Sequence, residues 1–348
     1  MTAENAIPTI DLRPLRTGSE RERRDVARRI DEACMDIGFF MVTGHGVPLD
    51  LIRTTRQCAI DFFALPEAEK MKVQRPPAKI SRGYNWIGDR SLAYSMGEVA
   101  PPDIQEAFAF GPEGAEALAA KVDNVSAQMY APNIWPQRPD GFKATMLAYR
   151  EAISGVASDV LRAMALALNT DEIYFVDKFD RQASTVRVIR YPAMRQQPLP
   201  GQLRAGAHTD YDVITFVRGD DTPGGLQVKH RNGGWIDVHI PRNDFVCNIG
   251  DLMMRWSNDR WVSTLHRVAV PPPEAAPSDR ISLVFFQYPN PDTLIRCFDS
   301  CVGPGEKYPP VTVADHYLGK LMKAGHSRLD ATAEVAVKND PRPAQTAH

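Results

Sequence analysis

The feature that most constrains this chain is a change of texture after Asp180. From there the sequence breaks into short, β-branched and aromatic segments separated by turn residues. Thr185–Tyr191, Ile214–Val217, Leu226–Lys229, Trp235–Ile240, Phe245–Ile249, Leu265–Val270, Ile281–Tyr288 and Leu294–Phe298 all have strand length and strand composition. Pro223-Gly224-Gly225 and Asn232-Gly233-Gly234 punctuate them, and the second is a strong hairpin signal. Eight short strands in about 115 residues point to a double-sheet jelly roll.

Upstream the periodicity is helical. Ile7–Leu12 reads as a short strand with Pro8 at its edge. Ser19 and Glu22 form a capping box, after which Val26, Ala27, Ile30, Ala33, Cys34 and Ile37 recur at helical spacing, with Gly38 just past the end. Phe39–Val42 reads as a buried strand, and a second helix carries Leu51, Ile52, Cys58, Ala59, Phe62 and Phe63 on one face before Pro66 stops it. Residues 75–140 are proline-rich and weakly periodic, and read as a long irregular excursion. From Phe142 to Leu168 a single apolar stripe predicts a helix roughly 40 Å long, enough to brace a sheet. Thr312–Ala324 reads as a closing helix, and the polar stretch 325–348 as a tail. The expected division is 1–180 helical and loop support, 181–300 jelly-roll core, 301–324 C-terminal lid and 325–348 tail, all one integrated unit.

Charge excludes some partners. Among 348 residues, 41 Lys and Arg nearly cancel 43 Asp and Glu, which leaves no basic footprint for nucleic acid. No apolar run is long enough to span a membrane, and the N-terminal residues lack the pattern of a secretion signal. A cytoplasmic monomer acting on a small molecule is the expectation. The five cysteines are scattered and show no zinc spacing, so they read as small core residues.

Of eight histidines, His208 is followed two residues later by a carboxylate, Asp210. On a strand, residues two apart share a face, so the pair can bind one ion together. His266, within the apolar segment Leu265–Val270, is the best third ligand. Two histidines and one carboxylate make the facial triad of non-haem Fe(II) oxygenases, which leaves three coordination positions open. Arg280 and Ser282 likewise share a strand face. A buried guanidinium is costly without an anion, so it needs either an internal acid or a bound carboxylate, which it can grip bidentately.

In combination and order these motifs resemble the 2-oxoglutarate- and Fe(II)-dependent oxygenases, in the branch resembling isopenicillin N synthase. The resemblance extends over Gly38–Val47, Arg190-Tyr191-Pro192, His208-Thr209-Asp210, Gly224–Val228, Asn248–Asp251, Trp256–Asn258, His266-Arg267-Val268 and Arg280-Ile281-Ser282. It implies a mainly β fold with flanking helices, a double-stranded β-helix (jelly roll) core braced by N-terminal helices and one long central helix. It also implies Fe(II) on His208, Asp210 and His266, with 2-oxoglutarate chelating the metal and its distal carboxylate on Arg280 and Ser282. Tyr191 occupies a position whose hydroxyl touches the cosubstrate in such enzymes, whereas Ile189 stands where many plant members place an asparagine. O2 would then complete an oxidation that releases succinate and CO2. Because Asp210 is retained, hydroxylation, desaturation or ring closure is expected rather than halogenation. His45 falls in a signature that the family does not use for iron. Arg82, Tyr84, Trp86 and Phe286 are the expected substrate contacts, with Arg82 a receiver for a substrate carboxylate. One rival is an oxidase that uses O2 without 2-oxoglutarate; another is a non-catalytic jelly-roll binding protein, which the intact set of ligands and Arg280 opposes.

Overall fold

The computed structural model describes residues 7–76, 82–89, 91–98, 100–194, 197–219, 225–241, 243–272 and 278–322. Fourteen strands are assigned among them. In chain order they are β1 (Thr9–Asp11), β2 (Phe39–Thr43), β3 (Gly83–Asn85), β4 (Glu106–Phe110), β5 (Thr185–Tyr191), β6 (Ala205–His208) and β7 (Ile214–Arg218). There follow β8 (Leu226–Lys229), β9 (Trp235–Asp237), β10 (Phe245–Ile249), β11 (His266–Val268), β12 (Arg280–Gln287), β13 (Leu294–Ile295) and β14 (Val311–Thr312). An eight-stranded sheet runs in the order β1-β2-β10-β7-β12-β5-β4-β3 and faces a four-stranded sheet, β6-β11-β8-β9. The expected jelly roll is therefore present.

The large sheet is buried on both faces, and alternation divides the work between them. On β12, Ile281, Leu283 and Phe285 point into the main core, while Arg280, Ser282, Val284 and Phe286 line a cavity. On β5, Val186 and Val188 enter the core, while Thr185, Arg187, Ile189 and Tyr191 line the same cavity. The core face is covered by the helices Glu20–Asp36, Leu49–Phe63 and Phe142–Ala167. The capping box forms as read, with the Ser19 side chain and backbone exchanging hydrogen bonds with Glu22. The long helix ends at Ala167, one residue before the sequence suggested.

Two readings need correction. The stretch 75–140 is not wholly irregular: it supplies β3 and β4, which extend the large sheet beyond β5. Glu106-Ala107-Phe108-Ala109-Phe110 is short and buried at every position, and no polar face betrays it as a strand. Phe108 and Phe110 pack into the core, whereas Ala107 and Ala109 leave space on the opposite face. The N-terminal region is also more than helical support, because β1 to β4 are four of the eight strands in the large sheet. At the other end, residues 313–322 form the expected closing helix, with Val313, Ala314 and Leu318 buried. The tail read at 325–348 lies outside the described residues.

Candidate metal and cosubstrate site

β6 and β11 pair so that His208 stands directly opposite His266. Asp210 follows just after β6, and the three side chains place ligand atoms within 4.8 Å of one another. Each imidazole has one nitrogen turned away: His208 Nδ1 lies 2.8 Å from the Gly206 carbonyl and His266 Nδ1 lies 3.0 Å from that of Thr264. A carbonyl can only accept, so those nitrogens carry the protons and both Nε2 lone pairs face Asp210, each 3.7 Å from a carboxylate oxygen. Burial, and then the neighbouring His266, push the His208 pKa down to about 4, so the ring is neutral and ready to coordinate at neutral pH. Burial alone would raise the Asp210 pKa. His266, His208 and hydrogen bonds from Thr215 Oγ1 (2.6 Å) and Asn248 Nδ2 (2.7 Å) hold it below the usual carboxylate value.

The donor set fits a divalent iron: two imidazoles and one fixed carboxylate on one side, with open cavity on the other. Thr215 and Asn248 stand opposite each other on β7 and β10, so the large sheet aims the carboxylate while the small sheet aims the histidines. Sequence reading had not given either residue a role. The signal was available, since Asn248 sits within the otherwise apolar segment Phe245–Ile249.

The glycine-rich N-terminal signature also acts here. Gly38 has φ +69°, and a Cβ on it would lie 2.0 Å from the Val262 carbonyl oxygen. Thr264 Oγ1 donates to the Ile37 carbonyl at 2.6 Å, which ties the approach to β11 onto the end of the first long helix. Phe39 then meets the His266 ring edge to face at 5.5 Å. His45 itself is structural: its Nδ1 accepts from Val47 N at 3.1 Å, its Nε2 lies 2.6 Å from the Asn243 carbonyl, and burial lowers its pKa.

Arg280 opens β12 directly opposite Tyr191 on β5, with Ser282 two residues along on the same face. Both Arg280 and Ser282 are buried. Two glycines frame the guanidinium: a Cβ on Gly219 would lie 2.7 Å from Nη2, and one on Gly225 would lie 3.4 Å from Cζ. This cradle was invisible as such in the sequence, because the two glycines approach Arg280 only once β7, β8 and β12 are assembled. Burial raises the Tyr191 pKa to about 12 against the opposing charge of Arg280, so its hydroxyl stays protonated and can donate.

The cavity holds about 330 Å³ and extends from the metal ligands to Arg280. Phe286 and Arg82, two of the expected substrate contacts, line it. Tyr84 and Trp86 do not. Tyr84 points to the opposite face of β3, where its hydroxyl donates to Glu106 Oε2 at 2.5 Å and its ring meets Phe62. Trp86 packs against the core with Arg75 over its ring at 5.9 Å. Tyr84 follows the strand alternation of β3, which a short segment among prolines had concealed, and Trp86 lies just past its end. Tyr317 and Leu321 from helix 313–322 close one side of the cavity, and Lys320 Nζ bonds Asp251 Oδ2 at 2.5 Å.

A metal triad set between two facing sheets, with a buried cradled arginine across the cavity, defines a non-haem iron oxygenase that takes an acidic cosubstrate. Comparison with known proteins makes this specific. Residues 7–138 match the model of the non-haem dioxygenase in morphine synthesis N-terminal region, and residues 183–289 match that of the 2OG-Fe(II) oxygenase superfamily. A 2-oxoglutarate-Fe(II) type oxidoreductase, hxnY, of Emericella nidulans is 33% identical over 94% of this chain and 93% of its own length. Homoarginine-6-hydroxylase 2-ODD-C23.1 of Arabidopsis thaliana is 35% identical over 82% of each chain. The crystal structure of a full-length Neurospora crassa protein in complex with alpha-KG superposes with a TM-score of 0.81 at 30% identity, covering 92% of this chain and 98% of that one. The chain belongs to the 2OG-Fe(II) oxygenase superfamily, and it is a 2-oxoglutarate- and Fe(II)-dependent dioxygenase acting on a small molecule.

Proposed function

We propose that His208, Asp210 and His266 hold the iron, and that Arg280, Ser282 and Tyr191 seat the distal carboxylate of 2-oxoglutarate. The observation that carries this reading is the pairing of a preorganised triad with a buried arginine framed by Gly219 and Gly225. Iron held there would bind and activate O2, the oxidant, while 2-oxoglutarate would supply two electrons in becoming succinate and CO2. The protein's contribution is positional. Thr215 and Asn248 keep Asp210 ionised and aimed, and the Gly206 and Thr264 carbonyls fix both imidazole tautomers. Arg280 grips the far end of the cosubstrate, with the Ser282 and Tyr191 hydroxyls as further donors. Tyr317, Leu321 and Phe286 give the cavity wall much of its apolar surface. Asp210 occupies the position that a halide would need, so the outcome is hydroxylation, desaturation or ring closure of the substrate.

The test is succinate formation from labelled 2-oxoglutarate by the purified protein supplied with Fe(II), scored with and without O2 against a panel of small molecules. Succinate that requires both Fe(II) and O2 is expected, and His208→Ala should abolish it. Substrate oxidation in reactions free of 2-oxoglutarate would overturn the reading in favour of an oxidase.

A further inference from the structure

The cavity has a second cationic flank. Thr215 on β7, Phe286 on β12 and Thr185 on β5 stand in one row across the large sheet; Val217, Val284 and Arg187 form the next. Thr215 holds Asp210, so the metal ligands sit over the β7 side of these rows. Thr185 and Arg187 lie two strands across, roughly 10 Å at the strand spacing. Behind them Arg82, only 2% exposed, donates from Nη1 to Thr185 Oγ1 at 3.3 Å and from Nε and Nη2 to the Ala131 and Met129 carbonyls, each at 3.3 Å. Gly111 makes room for it, since a Cβ there would fall 2.4 Å from the Arg82 guanidinium.

This arrangement differs from the Arg280 end. Among the described residues lining the cavity, Asp210 brings the one carboxylate, against the guanidinium groups of Arg75, Arg82, Arg187 and Arg280. Arg75 is bound to Asp89 by two hydrogen bonds of 2.7 and 2.8 Å. Arg187 stands opposite Val284 and lines the cavity two residues along β5 from Thr185. Thr185 Oγ1 accepts from Arg82, so its own proton is directed elsewhere and can serve a ligand.

We propose that Arg187 and Thr185, backed by Arg82, bind a carboxylate on the substrate, on the flank of the cavity opposite the Arg280 seat. The substrate class is thus a small carboxylic acid with an apolar body beside Phe286 and Val284, oxidised at a carbon several bonds from its carboxylate. A planar carboxylate matches a guanidinium fork plus one hydroxyl donor. This inference rests on the assignment of the Arg280 end to 2-oxoglutarate.

The test is calorimetric titration of the protein loaded with Mn(II) and 2-oxoglutarate, which binds without turnover. The probes are straight-chain and aryl-substituted monocarboxylic acids of four to about ten carbons, the corresponding primary amides, and alkyl phosphonates. The acids that bind best should exceed their amides by about ten- to a hundred-fold, the range of a charge-assisted hydrogen bond. Arg187→Gln should erase that preference, and Arg187→Lys, which keeps the charge, should retain part of it. Equal binding of acids and amides, binding by no acid, a stronger response to phosphonates, or a preference that survives Arg187→Gln would each overturn the proposal. Failure of 2-oxoglutarate itself to bind in the first stage would instead indict the cosubstrate assignment.

Discussion

Gly219→Ala is a small change aimed at one atom. An ideal Cβ at this position lies 2.7 Å from Arg280 Nη2 and 3.2 Å from Ile240 Cδ1. Ordinary contact needs about 3.5 Å, so the guanidinium must move by roughly 0.8 Å or more. Gly225 also borders the guanidinium, whose carbon would lie 3.4 Å from a Cβ placed there. The displaced atoms are the tip of a flexible side chain, so folding should cost little, on the order of 1 kcal/mol. Cosubstrate binding should suffer more, because a bidentate grip depends on both position and angle. Losing one hydrogen bond to a charged group costs about 1.5–3 kcal/mol, which is roughly 10- to 150-fold in affinity. The assay is the KM for 2-oxoglutarate in succinate release, with Fe(II) affinity measured separately in the absence of cosubstrate. A rise of about ten-fold or more with unchanged Fe(II) affinity is expected. A KM within about two-fold of wild type would refute the claim that the two glycines exist to position Arg280.

Three further expectations follow from other parts of the molecule. Asn248→Leu removes a 2.7 Å donor from Asp210 and should weaken Fe(II) binding about 10- to 100-fold in a metal titration, with the fold retained by circular dichroism. Gly155→Ala, on the exposed face of the long helix with no atom near the new methyl group, should stabilise the protein by about 0.5–1 kcal/mol in thermal unfolding. Burial raises the Asp279 pKa, but the Arg190 guanidinium at 2.8 Å and the Ala193 amide outweigh it and bring the value below 3.8. A depressed carboxylate contributes stability above its unfolded pKa and loses it as pH falls through the folded one. Asp279→Asn should therefore flatten the decline in stability below about pH 4, as measured by denaturant titration at stepped pH.

The site was more legible than its surroundings, and the reasons are physical. His208, Asp210 and Arg280-x-Ser282 obey strand alternation, so sequence spacing alone puts each pair on one face. His266 could be added because its strand is apolar on both sides. By contrast, β4 is buried throughout, so its faces alternate in size rather than polarity, and β6 is only Ala205-Gly206-Ala207-His208, too short and too small-chained to read as a strand. Gly219 and Gly225 act on a residue more than fifty positions away, and no local pattern reports such an approach. The substrate contacts divided along the same line. Phe286 was placed by alternation on β12, while Tyr84 and Trp86 were placed by their neighbourhood in the chain, and the β3 pleat turns Tyr84 into the core. Arg187 passed unnoticed because it sits in a strand where Val186 and Val188 mark it only as the polar side.

The central claim is that one cavity holds iron on His208, Asp210 and His266 and 2-oxoglutarate on Arg280. Anaerobic calorimetric titration of 2-oxoglutarate into the Fe(II)-loaded protein tests both halves together. One cosubstrate per chain should bind to the wild type. Arg280→Gln should weaken it by at least about ten-fold, and His266→Ala should remove the metal-dependent part of the signal. Binding of 2-oxoglutarate that is indifferent to both substitutions, or no binding to the wild type, would contradict the account.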